Sequence, residues 1–571
     1  MKRKRARPVY KPYTMGQMIL LPTNLEELIP ENHMVRVVNK FIEQMDLSAL
    51  EAKYKGGGTS SYHPKMMLKV YIYAYTQKIF SSRRIAKALR ESIPFMWLSG
   101  NNYPDFRTIN YFRGKILRGI IQEIFCAVLM LLVEGGYIKL EDYFIDGTKM
   151  EANANRYTYV WAKSTDHYQK QLTEKVAALL KEIEALNAAE DAQHGDKDLE
   201  EVGETAQVTP EKLAQQVAKL NKRLKAAETE SDPPTEKKPP KDEPPQNGGQ
   251  KSLSEVIEQK LGEIQKTLTS EPGNKMLAKA AHQLEKEYLP RAQKYEEQRR
   301  KLAGRNSYSK TDPDAIFMRM KDDHLGNGQL KAAYNIQIGS EKQFVVGFSI
   351  HQEAGDTTCL IPHLNQVKEL LKRLPEKVSS DAGYGSEENY AYLEGQEVGN
   401  YLKYQSFDRE QKKRYKPDPF KAENMVYDAE NDEFTCPNGK PLKYLYTSCT
   451  KTKNGFPTER RVYECESCAA CPLKEKCTKA AGNRQIRVGF RLWQYQKQAR
   501  ENLQSKEGRR LRSQRGVDVE TVFGRIKECW GFRRFVLRGM QKVGVEWGLL
   551  CLAHNFAKVW STENEKSLAA V

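Results

Sequence analysis

Glu141–Tyr157 reads EDYFIDGTKMEANANRY. The aromatic and β-branched run Tyr143–Ile145 leads directly into Asp146, so the segment predicts a short strand that ends in an acid. A second segment repeats the arrangement. In KVSSDAGYGSEENYAYL, Lys377–Leu393, a short strand reaches Asp381, a glycine turn follows, and a helix begins near Ser386. Between the two, Ala332–Ile338 and Phe344–Ile350 alternate like strands joined by GSEK, which predicts a hairpin, and a helix spans Cys359–Arg373. Tyr401–Tyr404 (YLKY) is one more strand. With its insertions removed, this part of the chain is three strands, a helix, two strands and a closing helix. The expected class is α/β, with a mixed five-stranded sheet and helices.

The full chain has 571 residues, 39% hydrophobic and 29% charged, with a net charge of +18. Such an excess favours an anionic partner, foremost nucleic acid, with a ribosomal or anionic-membrane partner still open. The longest apolar run, Ile124–Val133, is about half of the roughly 20 residues that span a bilayer, and is expected as a buried core helix. The N-terminal MKRKRARPVYK has no apolar stretch behind it and is not a secretory signal. A DNA-contacting arm, an address signal and a disordered tail all fit it. The expected location is cytoplasmic and nucleoid-associated, where ten reduced Cys point to metal or burial more than to disulfides.

Up to about Gly136 the pattern is helical. Ser82 is placed to cap one helix and Asp105 a second, beginning at Phe106, with Arg107, Asn110 and Arg113 projecting. A turn containing Gly100 and Pro104 separates the two, as in a helix-turn-helix; an ordinary bundle fits the pattern equally, and the charge favours DNA binding. From about Thr165 to Leu302 the composition shifts to Glu, Lys, Ala, Gln and Leu. Leu172, Val176, Leu179, Ile183 and Leu186, and again Leu213, Val217, Leu220 and Leu224, follow the 4-3-4-3 spacing of a coiled-coil seam. Ser231–Gly249, rich in Pro, reads as a flexible linker.

Near the C-terminus, Arg509–Lys542 holds ten Lys and Arg against three acids, one of them Glu520. On a helix starting near Val517, residues Val519, Val522, Phe523, Ile526 and Trp530 form an apolar stripe, and Glu520 and Lys527 share its edge. Asp146, Asp381 and Glu520 are therefore three acids at special places. Carboxylates at neighbouring strand ends converge on one metal pair, and their hard oxygens suit Mg²⁺ or Mn²⁺. Asp142, Glu141 and Glu151 lie on other phases and are expected to be structural, while Lys149, Asn153 and His351 lie within reach of a site at Asp146. Cys436, Cys465, Cys468, Cys471 and Cys477 offer five thiolates for four tetrahedral places of a structural zinc ion, with an iron–sulfur cluster as the alternative. The other five Cys are isolated.

The segments FIDGTKMEANANRY, VSSDAGYGSEEN and VETVFGRIKECWGFRRF, in this order, resemble the DDE transposases of bacterial insertion sequences. More narrowly, the chain looks like the group with a helical N-terminal domain, a charged helical insertion and a cysteine-bearing insertion before the Glu. The resemblance implies an RNase H-like catalytic core with Asp146, Asp381 and Glu520 as its metal-binding triad, and element-end binding by the region from SYHPKMML to PDFRTINYFR. It implies Mg²⁺-dependent DNA cleavage at the element ends and strand transfer by the freed 3′-hydroxyl. Terminal repeats and target DNA are then the partners, with a homodimer in the synaptic complex. The domains expected are 1–140, helical and DNA-binding; 141–164 and 306–407, the core; 165–305, the helical insertion; 408–491, the cysteine-rich insertion; and 492–571, the closing helical part.

Related transposases carry Tyr, two residues, Arg, three residues, Glu, six residues, Lys. Here Glu520 and Lys527 keep the last spacing, so Lys527 is expected on phosphate. Arg515 stands one position too far from Glu520, and Arg512 occupies the Tyr place. Arg525, Arg533 and Arg534 are assigned to DNA on charge alone. The family pattern favours Cys436, Cys468, Cys471 and Cys477 as zinc ligands. Two other readings remain: a non-catalytic DNA-binding protein derived from a transposase, and a structural RNA-binding protein.

Overall fold

The strand that carries Asp146 is also the strand around which the sheet is built. In the computed structural model, which describes residues 24–54, 61–156, 158–194, 252–270, 274–320 and 329–569, six strands form this sheet. They are β1 (Asp142–Glu151), β2 (Ile316–Arg319), β3 (Leu330–Glu341), β4 (Phe344–His351), β5 (Lys377–Ser380) and β6 (Gly399–Leu402). β1 pairs antiparallel with β3 along Phe144–Glu151, and parallel with β5 over Asp142–Phe144 alone. β5 pairs parallel with β6, while β2 and β4 share the far edge of β3. The sheet is therefore mixed, as expected, with a sixth strand added. Four residues, Ile316–Arg319, are too few to show an alternating pattern.

The β3–β4 hairpin is tighter than its sequence suggests. The strands run through most of GSEK, so only Lys342 and Gln343 turn, both at positive φ (52° and 66°). Such two-residue turns match the twist of the strands but usually need Gly or Asn. Here the turn is held from outside: Gln343 N donates to Asp518 Oδ1 at 2.8 Å, and Gln343 O lies 2.8 Å from His554 Nε2. Within β3, Gly339 is required by packing, since a Cβ there would run into the ring of Tyr143.

Helices cover the sheet. The N-terminal part supplies α1 (Met34–Gln44), α2 (Pro64–Thr76), α3 (Ser82–Glu91), α4 (Ile93–Ser99), α5 (Phe106–Tyr111) and α6 (Ile121–Glu134). The core contributes α7 (Leu360–Leu371), α8 (Glu387–Gly395), α9 (Phe490–Gln504), α10 (Lys506–Gly524) and α11 (Met540–Ala569). In α2 every residue from Met67 to Tyr75 is buried, so it is a central helix rather than an amphipathic surface one. It packs on α11, which in turn lies on β4. Ring contacts fasten the layers: Phe41 against Phe556 at 5.5 Å and Phe125 of α6 against Phe348 of β4 at 5.0 Å. The apolar run Ile124–Val133 is thus a core helix, and no single helix among the described residues is long and apolar enough to cross a membrane. α10 lies across β1, β3 and β5 and begins at the Ser505 cap, well before Val517. Of the expected stripe, Val519 and Val522, with Ile526 beyond the helix end, are buried, while Phe523 and Trp530 are half-buried.

Between α8 and α9 a second sheet folds from β7 (Val426–Asp428), β8 (Glu433–Thr435), β9 (Pro441–Lys451), β10 (Pro457–Cys465) and β11 (Gln485–Val488), all antiparallel. All of these elements belong to one compact unit, made of the residues up to Tyr159 and from Tyr308 on. Val160–Ser307 form a second unit. In it, Leu172, Val176 and Ile183 pack into a cluster with side chains from three later helical stretches, including Ile257, Leu277 and Tyr288, so the stripe serves a bundle. The N-terminal basic arm, the stripe Leu213–Leu224 and the linker 231–249 lie outside the described residues.

Two buried imidazoles and a half-buried one set an acid limit on the core. His363 sits between Tyr143 Oη and Ser349 Oγ, each 2.7 Å away, and His351 Nε2 lies 2.6 Å from the same Ser349. Burial pushes His363 and His554 down to about 3 and His351 to about 4. Each is neutral in the fold but binds a proton near pH 6.5 when unfolded, so its contribution is complete above pH 6.5 and is lost as pH falls towards 3–4. Each imidazole contributes about 1.4 kcal/mol per pH unit over that window. Urea denaturation should show stability dropping steeply from pH 6.5 to 4.5, with a shallower fall in His363→Gln. Equal slopes in the two proteins would contradict a neutral His363.

Candidate active site

β1 does not stop at Asp146. It continues five residues to Glu151 because β3 goes on pairing with it, and Asp146 stands opposite Ile338. What ends near Asp146 is the other flank: the last parallel pair is Phe144 with Ser379. β5 finishes at Ser380, and Asp381 is the next residue. The two acids therefore meet where two parallel strands part, a place where open sheets commonly bind ligands. Backbone amides fix each carboxylate: Gly147 N donates to Asp146 Oδ1 at 2.8 Å, and Gly383 N to Asp381 Oδ1 at 2.9 Å.

Arg515 of α10 joins them. Its Nη2 lies 3.3 Å from Asp146 Oδ2 and 4.0 Å from Asp381 Oδ2, with its side chain and that of Asp146 about 85% buried (14% and 15% exposed). The guanidinium offsets the negative charge that the two carboxylates bring to one place. Arg515, out of step with the family spacing, is thus the residue of α10 that reaches both acids. Glu520 is exposed on the same helix. Among the described residues, no group of three or more His, Cys, Asp or Glu side chains is placed to hold a metal ion.

The other basic residues divide. Lys527 falls in a π-helical turn, Arg525–Cys529, which continues α10 and rotates it out of the simple seven-residue alignment with Glu520. Arg525 is half-buried, with its Nη1 lacking a hydrogen-bond partner, and burial lowers its pKa. Arg533 pairs with Glu528. Arg534 donates to Ala152 O and Ala154 O at 3.2 and 2.9 Å, clamping the end of β1. Asn153 and Lys149 are likewise tied to backbone carbonyls, of Val536 and Arg319. Asp142 and Glu151 pair with Arg510 and Lys331, as structural acids do.

On the N-terminal helices, Asp105 caps α5 by accepting from Thr108 N at 2.7 Å, while Ser82 is the first residue of α3 and the N-cap position falls to Ser81, whose side chain makes no capping bond. Arg107 is exposed and, with Arg83, flanks the ring of Phe106 at 5.7 and 5.0 Å. Arg113 is a correction. It is fully buried, donates to Tyr75 Oη and Phe80 O at 3.0 and 2.9 Å, and lies 3.8 Å from Glu546. Its place on the buried side of a helix makes it a core cation, not a DNA contact.

One acid escaped the sequence reading. Asp356, in a Gly-Asp-Thr-Thr turn before α7, accepts from Asn335 Nδ2 and Gln337 Nε2, both at 2.9 Å, beside Gly147. No periodicity marks it, and only the folded hairpin brings it there.

All five candidate thiols, Cys436, Cys465, Cys468, Cys471 and Cys477, line one cavity of about 20 Å³ beside the second sheet. Lys440 N donates to Cys436 Sγ at 3.3 Å and Arg484 N to Cys468 Sγ at 3.4 Å, so two of the sulfurs act as acceptors. Cys465 instead points its thiol to Ser467 O, and burial pushes it up to about 11.

Residues 23–115 match the family described as a transposase domain (DUF772), and residues 435–560 match the transposase DDE domain. The second match includes Glu520 and the five candidate cysteines, and begins after Asp146 and Asp381. The chain is thus similar to DDE transposases in two separate regions, and the resemblance read from its motifs is borne out. No curated protein and no solved structure matches significantly.

Arg113 and Glu546 join these two regions. Removing one partner strands the other charge in the core, so Arg113→Ala should cost about 3–5 kcal/mol in urea denaturation. A loss under about 1 kcal/mol would show that the site admits water.

Proposed function

We propose that this chain is a transposase that cuts DNA at the ends of its mobile element and joins those ends to target DNA, with Asp146, Asp381 and Glu520 as its catalytic acids. The observation that carries the reading is the pair Asp146 and Asp381, sharing one cation at the point where β1 and β5 diverge. The strand order β4-β3-β1-β5-β6, antiparallel then parallel, supports an RNase H-like core.

The donor set fits Mg²⁺ or Mn²⁺: hard carboxylate oxygens, at a point where Arg515 shows that positive charge is accommodated. The chemistry supplied by such an ion is activation of water and offset of charge on phosphate oxygens. The chain's own residues do the placing. Asp146 and Asp381 are held by their amide hydrogen bonds, and the helix that supplies Arg515 also carries the exposed Glu520. Water opens a phosphodiester at the element end and its 3′-oxygen leaves as a hydroxyl. That hydroxyl then attacks a target phosphodiester and displaces a target 3′-oxygen, so no covalent link to the protein forms. Lys527 and Arg107 lie against DNA phosphate, the helices before residue 140 bind the terminal repeats, and two copies pair the ends.

A labelled duplex carrying the element's end and its flank tests this, with and without Mg²⁺. Cutting at the junction should require the metal and fall on the order of a thousandfold or more in Asp146→Asn and Glu520→Gln, with DNA binding kept. Specific binding without cutting would instead favour a DNA-binding regulator in which Arg515 permanently fills the cation place.

For the cysteines we propose a structural zinc ion held by Cys436, Cys468, Cys471 and Cys477. Their thiolates are the soft donors zinc takes in closed tetrahedral sites. Elemental analysis of anaerobically purified protein should find close to one zinc per chain, falling sharply in Cys468→Ser. Iron with sulfide would assign a cluster instead, and no metal would leave the thiols as core.

A further inference from the structure

Asp356 stands near Asp381, across Gly383. Asp381 Oδ2 lies 4.0 Å from the Arg515 guanidinium, while its Oδ1 accepts from Gly383 N. A point at the Cβ position of Gly383 is 3.0 Å from Asp381 Oδ1 and 3.8 Å from Asp356 Oδ2, so the two carboxylates face one small space across that glycine.

The placement is built, not incidental. Asp356 Oδ1 is occupied by the side-chain amides of Asn335 and Gln337, both wholly buried on β3. Gln337 in turn accepts from the buried phenol of Tyr384, three residues after Asp381. Thr357 Oγ1 donates to Gly383 O at 2.7 Å, and Asn389 Nδ2 donates to Thr357 O and Tyr384 O at 2.9 and 2.7 Å. These bonds staple the turn of Asp356 to the turn of Asp381. Gly147 completes the arrangement: a Cβ there would sit 2.5 Å from Asp356 Oδ1 and closer still to Gln337 Nε2, so the residue after Asp146 leaves room for this acid. The phenol of Tyr384 is raised well above its ordinary value, by burial first and then by the charges of Asp356, Asp146 and Asp381, which places all three around it.

We infer that Asp356 is a further acid of the divalent-ion site, presenting Oδ2 beside Asp381 to hold the ion's hydration shell. The inference rests on the site proposed above. Mg²⁺ and Mn²⁺ keep several waters when protein carboxylates bind them, and partners of that outer layer are commonly worth 10–100-fold in affinity. Two buried amides on one oxygen are an orienting device for the other. A carboxylate serving only the loop would not need its second oxygen turned to the acid that ends β5.

The test is titration of the full-length protein with Mn²⁺, following free ion by electron paramagnetic resonance, with the fold checked by near-ultraviolet circular dichroism. Asp356→Asn keeps the shape and the acceptor for both amides. It should weaken Mn²⁺ binding about 10–100-fold, with Asp381→Asn weakening it at least as much and Glu353→Gln, on the same loop, leaving it unchanged. Wild-type affinity in Asp356→Asn beside loss in Asp381→Asn would overturn the inference and leave the site standing. Equal affinity in all four proteins, or no binding by any, would overturn both. Should Asp356→Asn misfold, Asp356→Glu provides the second measurement: it keeps the charge, and affinity retained there supports the inference while affinity lost with the fold intact refutes it.

Discussion

Two carboxylates brought near one point repel each other unless a cation offsets their charge, and Arg515 does so for Asp146 and Asp381. Arg515 answers the requirement from α10, with one nitrogen near both acids and little exposure to solvent screening. Its position depends on the seating of α10, which rests on buried Val519 and Val522 and on the bond from Gln343 N to Asp518. The same Asp518 holds a two-residue turn whose positive φ angles Lys and Gln do not favour. One helix thus fixes the hairpin at one end of the sheet and the charge balance at the site. A cation so placed offsets the negative charge of both acids at one point.

The sheet supplies the second constraint. β1 has a long antiparallel neighbour and a short parallel one, and the mismatch of lengths opens the cleft. Asp146 lies inside a paired strand rather than at a frayed end, so its backbone is held by β3 while its carboxylate meets Arg515 of α10. Asp381 has the opposite situation, on a turn just past its strand, and needs the local bonds to Gly383 and the staple from Thr357 and Asn389 to be held as firmly.

Much of this was legible in the residues. Tyr143–Ile145 running into Asp146, and the short strand into Asp381, announced both acids and their neighbouring strands, and the alternation of Ala332–Ile338 and Phe344–Ile350 gave the hairpin. What the sequence hid has physical reasons. β2 is too short for a pattern. The turn at Lys342–Gln343 carries no Gly or Asn because its support comes from Asp518 and His554, far along the chain. Arg113 looked like a surface cation because its partners Tyr75 and Glu546 are brought in only by packing. Arg515 failed a spacing rule written for another helix phase, and Asp356 has no local signature, being defined by amides from β3.

The burial of Arg113 has a use beyond stability. A buried ion pair is a poor source of net free energy, because desolvation offsets most of its Coulomb attraction, but it tolerates few alternative registers. Here it locks the helices similar to one transposase domain against α11, part of the other. The exposed pair Arg83 and Arg107 about Phe106 then lines a groove of about 540 Å³ that also touches Val536. The carbonyl of Val536 accepts from Asn153, and Arg534 nearby clamps Ala152 and Ala154, just beyond the end of β1. The basic, aromatic groove and the strand of Asp146 are therefore parts of one compact unit, joined through the loop of Arg534 and Val536.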